Sequence, residues 1–185
     1  KNIREEMANK ILGKTYFQRR DTVTIAKSLI GKYLVRRHGG AVRKYMITEA
    51  EAYDGFKDKA SHAHRGKTAR NKIMFGPAGN WYVYFTYGMH WMLNIVTGPE
   101  NYPAAILTRG IKSGQGNCIN GPARLTKALH IKGKINGKPA DKKTGLWIED
   151  RGEKIKPSQI QCSPRIGVAY AGPVWSMKNY RFELR

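Results

Sequence analysis

The residues best suited to chemistry stand close together in one short segment, from Glu49 to Tyr53. A carboxylate beside an aromatic ring can act as a general base that orients and deprotonates a water molecule. Neighbouring rings raise the pKa of such a carboxylate, whereas a nearby Arg or Lys lowers it. Glu49 and Glu51 share a face if the segment is a strand, so both are candidates. The alternative for either one is a solvated or salt-bridged carboxylate.

A tyrosine-rich stretch further along the chain has the pattern of a β-hairpin. The aromatic and β-branched residues from Trp81 to Thr86 predict a strand, and the returning strand runs from His90 to Val96. Gly88 suits a left-handed turn position, which leaves Tyr87 at or next to the tip. A bulky ring there either folds back on its own sheet or enters a nucleic-acid duplex in place of an extruded base.

The register of this hairpin decides whether it can also build a pocket. A two-residue loop would pair Tyr84 with Trp91 and send Asn94 to the other face. A three-residue loop would instead put one set of side chains on a single face: Tyr82, Tyr84, His90, Met92 and Asn94. The sequence leaves both registers open, and a pocket needs the second.

Residues 56–73 are polar and basic, which predicts a loop with some helix. His62 and His64 lie near Asp58, but no third residue has the spacing of a metal ligand. We expect one histidine to line a pocket and the other to be exposed. Four cations are interpreted as phosphate contacts that set the register of the protein on a duplex: Arg65, Lys67, Arg70 and Lys72. The alternative is that they form an ordinary solvated basic face.

Charge narrows the class of partner. Lys and Arg total 34 against 13 Asp and Glu, which gives the 185-residue chain a formal charge of +21. Self-repulsion at this level opposes a compact fold, so we expect a polyanionic partner. Nucleic acid fits best, because phosphate contacts need many cations on one surface. General solubility and membrane-surface binding are the alternatives.

The rest of the composition favours one globular domain over residues 1–185. Apolar residues make up 41% of the chain, which is long enough to bury a core. The two cysteines, Cys118 and Cys162, argue against a disulfide framework and are compatible with a reducing cytoplasm. No apolar run approaches the roughly 20 residues of a membrane span. No Cys/His group has zinc spacing.

Further elements must position these residues. Asp21 predicts the N-cap of a helix that ends near Gly31. Arg109 follows an apolar strand, and a charge there lies either at the rim of a site or simply where the chain emerges from the core. The other predicted strands are Tyr33–Val35, Val42–Ala52, Ala104–Thr108, Leu146–Glu149, Ile155–Ile160, Ile166–Tyr170 and Tyr180–Leu184. A Gly-rich loop is predicted for Ile111–Asn120, a helix for residues 123–130, and a short amphipathic helix for Ile3, Met7 and Ile11.

Motifs spread over nearly the whole chain, from residue 25 to the end, resemble those of the alkyladenine (3-methyladenine) DNA glycosylases. Asn94 and Arg109 extend the likeness. The segment Ile111–Asn120 is shorter than in most relatives, and Ala50 stands where relatives commonly have Thr or Val. The motifs are Glu51-Ala52-Tyr53, Ala60-Ser61-His62-Ala63, Arg70-Asn71, Met74-Phe75-Gly76-Pro77, Tyr82-Val83-Tyr84, Tyr87-Gly88-Met89, Asn120-Gly121-Pro122, Arg165-Ile166-Gly167 and Arg181-Phe182.

The resemblance implies roles for the residues that could perform the reaction. Glu51 would activate the attacking water, and Arg109 would lie beside that water and the adjoining backbone. Tyr87 would be the intercalating side chain. Because the resemblance rests on motif position, it selects Glu51 over Glu49.

The same resemblance implies a base-binding pocket. Tyr53 would stack on one face of the flipped base, with His62 and Tyr84 on the other face. Asn94 would crowd the position of the guanine amino group and so help to exclude normal guanine.

The expected activity is removal of alkylated or deaminated purines from duplex DNA, of the 3-methyladenine, 7-methylguanine, hypoxanthine and ethenoadenine class. The enzyme would hydrolyse the N-glycosidic bond without a lyase step, cofactor or metal. We expect a monomer that acts on double-stranded DNA containing damaged purines and binds no membrane, in a bacterial cytoplasm with the nucleoid or in a eukaryotic nucleus. The alternative is a non-catalytic basic nucleic-acid-binding module.

The fold implied by the resemblance is mixed α/β (α+β). It is a single domain with a curved antiparallel β-sheet, flanking helices and a protruding β-hairpin.

Overall fold

The computed structural model describes residues 9–19 and 21–185, whose ten strands form one antiparallel sheet with four short α-helices. The strands are β1 (Lys10–Ile11), β2 (Tyr33–His38), β3 (Ala41–Asp54), β4 (Trp81–Thr86), β5 (His90–Val96), β6 (Ala104–Ser113), β7 (Cys118–Asn120), β8 (Leu146–Asp150), β9 (Ile160–Ser163) and β10 (Arg181–Leu184). The α-helices are α1 (Lys14–Gln18), α2 (Thr22–Leu29), α3 (Pro122–Ala128) and α4 (Gly172–Ser176). Short 3-10 helices cover Lys72–Phe75, Gly133–Ile135, Pro157–Gln159 and Ala169–Ala171.

The sheet has the strand order β1-β8-β2-β3-β6-β5-β4 and is curled into a half-barrel. The long strand β3 organises it, because β6 pairs with one edge while β2 and β10 share the other. Strand β10 also pairs with β9, and β7 with β6. This arrangement confirms the mixed α+β class with a curved antiparallel sheet. Within the described residues no helix is both long and apolar enough to cross a membrane.

Alternation along the strands separates the core from the site. Side chains such as Trp81, Leu93 and Ile106 are fully buried in the main core, and their strand neighbours point to the opposite face. Helices α2 and α3 belong to the same core, α2 against β3 and β6, α3 against β5 and β6. One face of the sheet is therefore filled, and the other is free to carry polar groups.

Helix α2 begins where the sequence predicts. The Asp21 side chain accepts a hydrogen bond of 2.8 Å from the backbone N–H of Thr24, which satisfies a donor that has no partner inside the helix. Ile25 and Leu29 then face the core. Of the short helix predicted from Ile3, Met7 and Ile11, the first two residues lie outside the described part of the chain. Ile11 lies in strand β1 and not in a helix, because it pairs with Glu149 of β8.

Three sequence predictions are wrong. Ile111–Asn120 is a hairpin of β6 and β7, because buried Ile111 pairs with Ile119 and a short turn joins the strands. Ile155–Ile160 is not a strand, since Pro157 starts a 3-10 helix and the strand begins only at Ile160. Ile166–Tyr170 is a turn and a 3-10 helix: Gly167 has φ of 73°, and the backbone N–H of Ile166 bonds to a side chain.

The pairing of β3 with β6 is interrupted beside Glu49. Ile47 pairs with Ile111, Glu49 with Gly110 and Ala50 with Thr108, so Thr48 on β3 and Arg109 on β6 have no partner in the ladder. Such irregularities bend a strand and redirect side chains. A Cβ atom on Gly110 would lie 2.9 Å from Thr48 Oγ1 and 3.0 Å from Glu49 Cβ, so the strands approach too closely there for a larger residue.

The outer edge of β4 is covered by the segment that follows helix α3. The backbone N–H of Trp81 donates to the carbonyl of Lys138 at 2.8 Å, and that of Gly137 returns a bond of 2.8 Å to the carbonyl of Trp81. The N–H of Val83 donates to the Asn136 side chain at 2.9 Å. The terminal strand of the sheet is thus fixed on both sides.

We expect Gly110→Ala to destabilise the fold by about 1–3 kcal/mol, because the added methyl group forces the two strands apart. Denaturant unfolding measures the change. Gly114→Ala is the matched control: a Cβ atom there meets nothing within 4 Å, so its stability should equal or slightly exceed the parent's. Equal stability of the two variants would contradict the close approach at Gly110.

Candidate functional site

One row of paired residues crosses five strands and brings the predicted site residues to one face. The row is Tyr82 on β4, Asn94 on β5, Leu107 on β6, Glu51 on β3 and Arg181 on β10. Directly paired residues of an antiparallel sheet point to the same side. Glu51 therefore shares a face with the aromatic hairpin, opposite the main core.

A cavity of about 750 Å³ opens on this face, within the size range of small-molecule sites. It is lined mainly by aromatic and polar side chains, with Leu107, Met92 and Ala105 among its apolar members. Seven of the predicted site residues border it: Tyr53, His62, Arg65, Tyr84, Tyr87, Asn94 and Arg109. The structure thus brings together residues that are up to 56 positions apart in the sequence.

Glu51 lies directly behind the wall of the cavity. Its side chain is fully buried, Oε2 accepts a bond of 2.8 Å from the Tyr53 hydroxyl, and Oε1 accepts one of 2.8 Å from the backbone N–H of Ile166. Arg109 Nε is 3.5 Å from Oε1. Tyr53, Ile166 and Arg109 all border the cavity, so the carboxylate is one layer from it.

Burial and hydrogen bonding act on Glu51 in opposite directions. Desolvation raises the pKa of the carboxyl group, while the Arg109 charge, the Ile166 N–H and the Tyr53 hydroxyl lower it, and the nearby Glu49 raises it further. Desolvation is the largest effect, and the pKa lies above that of an ordinary Glu. A base of this kind binds a proton more strongly than a solvated carboxylate does.

Glu49, the rival carboxylate, is held by two cations. Its Oε1 accepts bonds of 2.9 Å from Arg109 Nε and 2.6 Å from Arg181 Nε. The Arg181 guanidinium continues to Glu183 and Ser163. Glu49 is therefore the more strongly compensated of the two acids, while Glu51 has one cation at a longer distance and two neutral donors.

The aromatic wall of the cavity is uncharged near neutral pH. His62 Nδ1 lies 3.2 Å from the Tyr82 hydroxyl, and the His62 ring meets Tyr84 edge to face with centroids 4.7 Å apart. Desolvation by the surrounding protein and the Arg70 charge lower the pKa of His62 to about 4, although the residue as a whole is still exposed to solvent. Burial raises the pKa of Tyr84 to about 12. His64 also borders the cavity, so the prediction that only one histidine does so is wrong.

The hairpin has the three-residue loop of Tyr87, Gly88 and Met89, because Thr86 pairs with His90 and Tyr84 with Met92. Tyr87 and Gly88 both have positive φ, 52° and 65°. The Tyr87 side chain is 83% exposed, so it projects from the tip and does not fold back on the sheet. An exposed ring in a conformation that bulky residues seldom adopt is typical of a functional position.

The four predicted phosphate contacts are all exposed and differ in their surroundings. Arg65 borders the cavity. The Arg70 guanidinium lies 4.9 Å from the centre of the Tyr84 ring and donates to the carbonyl of Phe85, so it also supports the hairpin. Lys67 lies over the Phe75 ring at 5.5 Å, and Lys72 begins a 3-10 helix. Their contact with phosphate stays a prediction.

Sequence reasoning missed a layer of residues behind Tyr53. Arg165 and Asp58 form a fully buried ion pair there, and Ile166 supplies the N–H that binds Glu51. No local pattern could pair residues 107 positions apart; the family motifs contain Arg165 and Ile166 but give them no partner.

Among the described residues no group of three or more His, Cys, Asp or Glu side chains could hold a metal ion.

Comparisons with known proteins agree with this geometry. The family model described as methylpurine-DNA glycosylase (MPG) matches residues 15–185. A putative 3-methyladenine DNA glycosylase of Anaeromyxobacter dehalogenans is 42% identical over 175 residues, covering 91% of this chain and 81% of the relative. Proteins with the same name from Methanocella arvoryzae and Legionella pneumophila are each 40% identical, with 90% and 91% of this chain and 88% and 92% of theirs covered.

These matches identify the chain as a DNA glycosylase, an enzyme that breaks the bond between a base and its deoxyribose. It belongs to the methylpurine-DNA glycosylase family, whose model covers almost all of it. The alternative of a non-catalytic binding module is thereby rejected.

If Glu51 is the base that activates water, it acts only when ionised, and burial raises its pKa. We therefore expect base release to fall at acidic pH with a midpoint above the ordinary pKa of Glu. A single-turnover pH–rate profile measures this fall, which is the acid limb of the profile. His62→Gln is the control: the limb should persist at the same midpoint, since His62 is already neutral above about pH 4. A limb that disappears with His62 would contradict the assignment to Glu51.

Proposed function

We propose that this enzyme removes alkylated or deaminated purines from duplex DNA, with Glu51 as the base that activates water. The lesions are of the 3-methyladenine, 7-methylguanine, hypoxanthine and ethenoadenine class. The relatives described above are named for 3-methyladenine. The observation that carries the proposal is a buried, raised-pKa carboxylate placed one layer behind an aromatic cavity.

Binding begins with the electrostatic attraction of a chain of charge +21 for phosphate. Tyr87 enters the duplex while a weakly stacked or damaged base rotates out, a step that costs a few kcal/mol and least for a lesion. The ring then fills the vacated space. Its 83% exposure in the free protein means that little packing is lost when it leaves solvent for the base stack.

The extruded base lies between Tyr53 on one side and His62 with Tyr84 on the other. A 3- or 7-alkylpurine carries a positive charge, which aromatic faces attract by about 0.5–2 kcal/mol. Neutral His62 is important here, because an imidazolium at that position would repel the cationic base.

Asn94 is fixed in a way that suits it to exclude normal guanine. Its Nδ2 donates to the carbonyl of Tyr82 at 3.2 Å, and the residue is buried at the cavity wall. A fixed amide cannot move aside for the guanine 2-amino group, which is the role that we assign to it.

Hydrolysis needs a water molecule to reach Glu51 from the cavity. We place its entry between Tyr53, Arg109 and Ile166, since these three groups both contact the carboxylate and border the cavity. Glu51 takes a proton as the water oxygen bonds to the sugar C1′ carbon, and the glycosidic electron pair leaves with the base. The carboxylate also stabilises the oxocarbenium charge on the sugar.

Because water is the nucleophile, no lysine Schiff base forms and the DNA strand stays intact. We therefore propose a monofunctional glycosylase that works as a monomer on double-stranded DNA. A neutral lesion such as hypoxanthine also needs a proton on the departing base. His62, with a pKa of about 4, does not hold one at neutral pH.

Glu51→Gln should bind lesion DNA but release base about 10²–10⁴-fold more slowly, which is the usual contribution of a general base. Single-turnover assays on duplexes with an alkylated purine or hypoxanthine measure the rate. Glu49→Gln is the matched control and should retain more activity, because Glu49 is held by Arg109 and Arg181. Full activity of Glu51→Gln with loss in Glu49→Gln would transfer the role to Glu49.

Tyr87→Ser should slow base release by about tenfold or more, as expected for the loss of ~1–3 kcal/mol of stacking. Affinity for undamaged duplex should change less, since most of it comes from phosphate contacts. Met89→Ser alters a neighbouring exposed residue of the same loop, 67% exposed, and should have the smaller effect. If Tyr87→Ser loses affinity for undamaged duplex as much as it loses base release, Tyr87 is not the side chain that intercalates and fills the place of the extruded base.

A further inference from the structure

Behind the aromatic wall lies a buried ion pair whose two residues do not line the cavity. The side chains of Arg165 and Asp58 are both 0% exposed, and Arg165 Nη2 donates to Asp58 Oδ1 at 2.9 Å while Nη1 donates to Oδ2. A buried pair seldom adds net stability, because removing two charges from water costs about as much as their attraction returns. Net stability alone therefore does not account for the presence of this pair beside the site.

The pair fixes the backbone on both sides of Tyr53. Arg165 Nη1 donates to the carbonyl of Ala52 at 2.8 Å, and Asp58 Oδ2 accepts from the N–H of Asp54 at 3.0 Å. The peptide groups before and after Tyr53 are thus each held by one member of the pair.

The guanidinium of Arg165 also supports the Tyr53 ring. Its central carbon lies 4.8 Å from the centre of that ring and 5.2 Å from the centre of the Tyr180 ring, so it makes cation–π contacts with both. Its Nε is buried and bonds to no other residue among those that the structure describes, so the guanidinium is positioned by its two Nη groups and by the rings.

The same residue places the donor of Glu51. Ile166 directly follows Arg165, and its N–H bonds to Glu51 Oε1 at 2.8 Å, while the Tyr53 hydroxyl bonds to Oε2 at 2.8 Å. On its other side, Asp58 accepts from the N–H of Ala60 in the loop that carries His62. One ion pair therefore connects both donors of Glu51 with the two walls of the cavity.

We propose that Arg165 is a positioning residue for base excision, which fixes the Tyr53 ring and the Ile166 N–H against Glu51. The proposal rests on the roles proposed above for Glu51 and Tyr53. Arg165 acts through these groups and not on the base. The guanidinium makes four directed hydrogen bonds, two to Asp58, one to the carbonyl of Ala52 and one of 3.3 Å from Nη2 to the carbonyl of Trp175. A lysine of the same charge cannot make all of them, because its ammonium group lacks the planar, forked arrangement of donors.

Two variants separate positioning from simple support of the fold. Arg165→Lys keeps a cation opposite Asp58. It loses the two-pronged hydrogen bonding of the guanidinium to Asp58 and its contacts with the Tyr53 and Tyr180 rings. The double variant Asp58→Asn with Arg165→Met removes both charges, so it should unfold at a higher temperature than Arg165→Met alone, in which Asp58 is left unpaired. Thermal unfolding is measured for all three.

We expect both test variants to release an alkylated base about 10–100-fold more slowly in single turnover, as expected when reacting groups are misplaced by about 1 Å. Affinity for undamaged duplex should be unchanged. The acid limb of the pH–rate profile should move to higher pH, because the two donors that stabilise ionised Glu51 are held less firmly. A role in folding alone would predict instead that activity recovers together with the thermal stability of the double variant.

The matched control removes a different ion pair, Lys32 with Asp150, whose Nζ and Oδ2 atoms are 2.7 Å apart. Lys32→Met with Asp150→Asn should release base at the parent rate. Folded Arg165→Lys or double variants with the parent rate and pH profile would overturn the positioning role while leaving the proposed function intact. If the parent and this control release no base at all, it is the proposed function that fails.

Discussion

The site depends on the burial of two carboxylates, Glu49 and Glu51, against two guanidinium groups. Taking a charge out of water costs several kcal/mol unless it is paired, so the position of each member dictates the others. Arg109 reaches both acids because β6 is irregular there, and the irregularity requires the close approach at Gly110. Glu51 is the less compensated acid, and this imbalance leaves it available for chemistry.

The carboxylates of Glu49 and Glu51 are separated from the aromatic cavity by a single layer of side chains, to which Arg109 belongs. On the cavity side, the His62 ring and the Tyr84 hydroxyl are neutral near pH 7. In the proposed reaction, a cationic base would therefore approach the walls without repulsion from His62, while the carboxylate behind would attract the charge that develops on the sugar. Desolvation has both effects, because it raises the pKa of Glu51 and lowers that of His62.

Local patterns predicted the strands that carry the site, and alternation put Glu49 and Glu51 on one face. Local patterns could not predict the hairpin register, because two- and three-residue loops fit the same sequence. The pairing of Thr86 with His90 shows that the loop has three residues. The strand predicted at Ile166 is absent because its N–H bonds to a carboxylate 115 positions away. Contacts between residues so far apart produce no local sequence pattern. The family motifs could therefore indicate the site residues but not the residues that hold them in place.

The covered edge of β4 has a consequence for how copies of the enzyme behave when crowded along DNA. Lys138 and Gly137 bond to the N–H and the carbonyl of Trp81, the Asn136 side chain accepts from the N–H of Val83, and Arg70 donates to the carbonyl of Phe85. A bare edge beside exposed Phe85 and Tyr87 would invite strand addition from a second molecule. With these groups occupied, the hairpin can display large apolar rings to a duplex without nucleating intermolecular β-sheet.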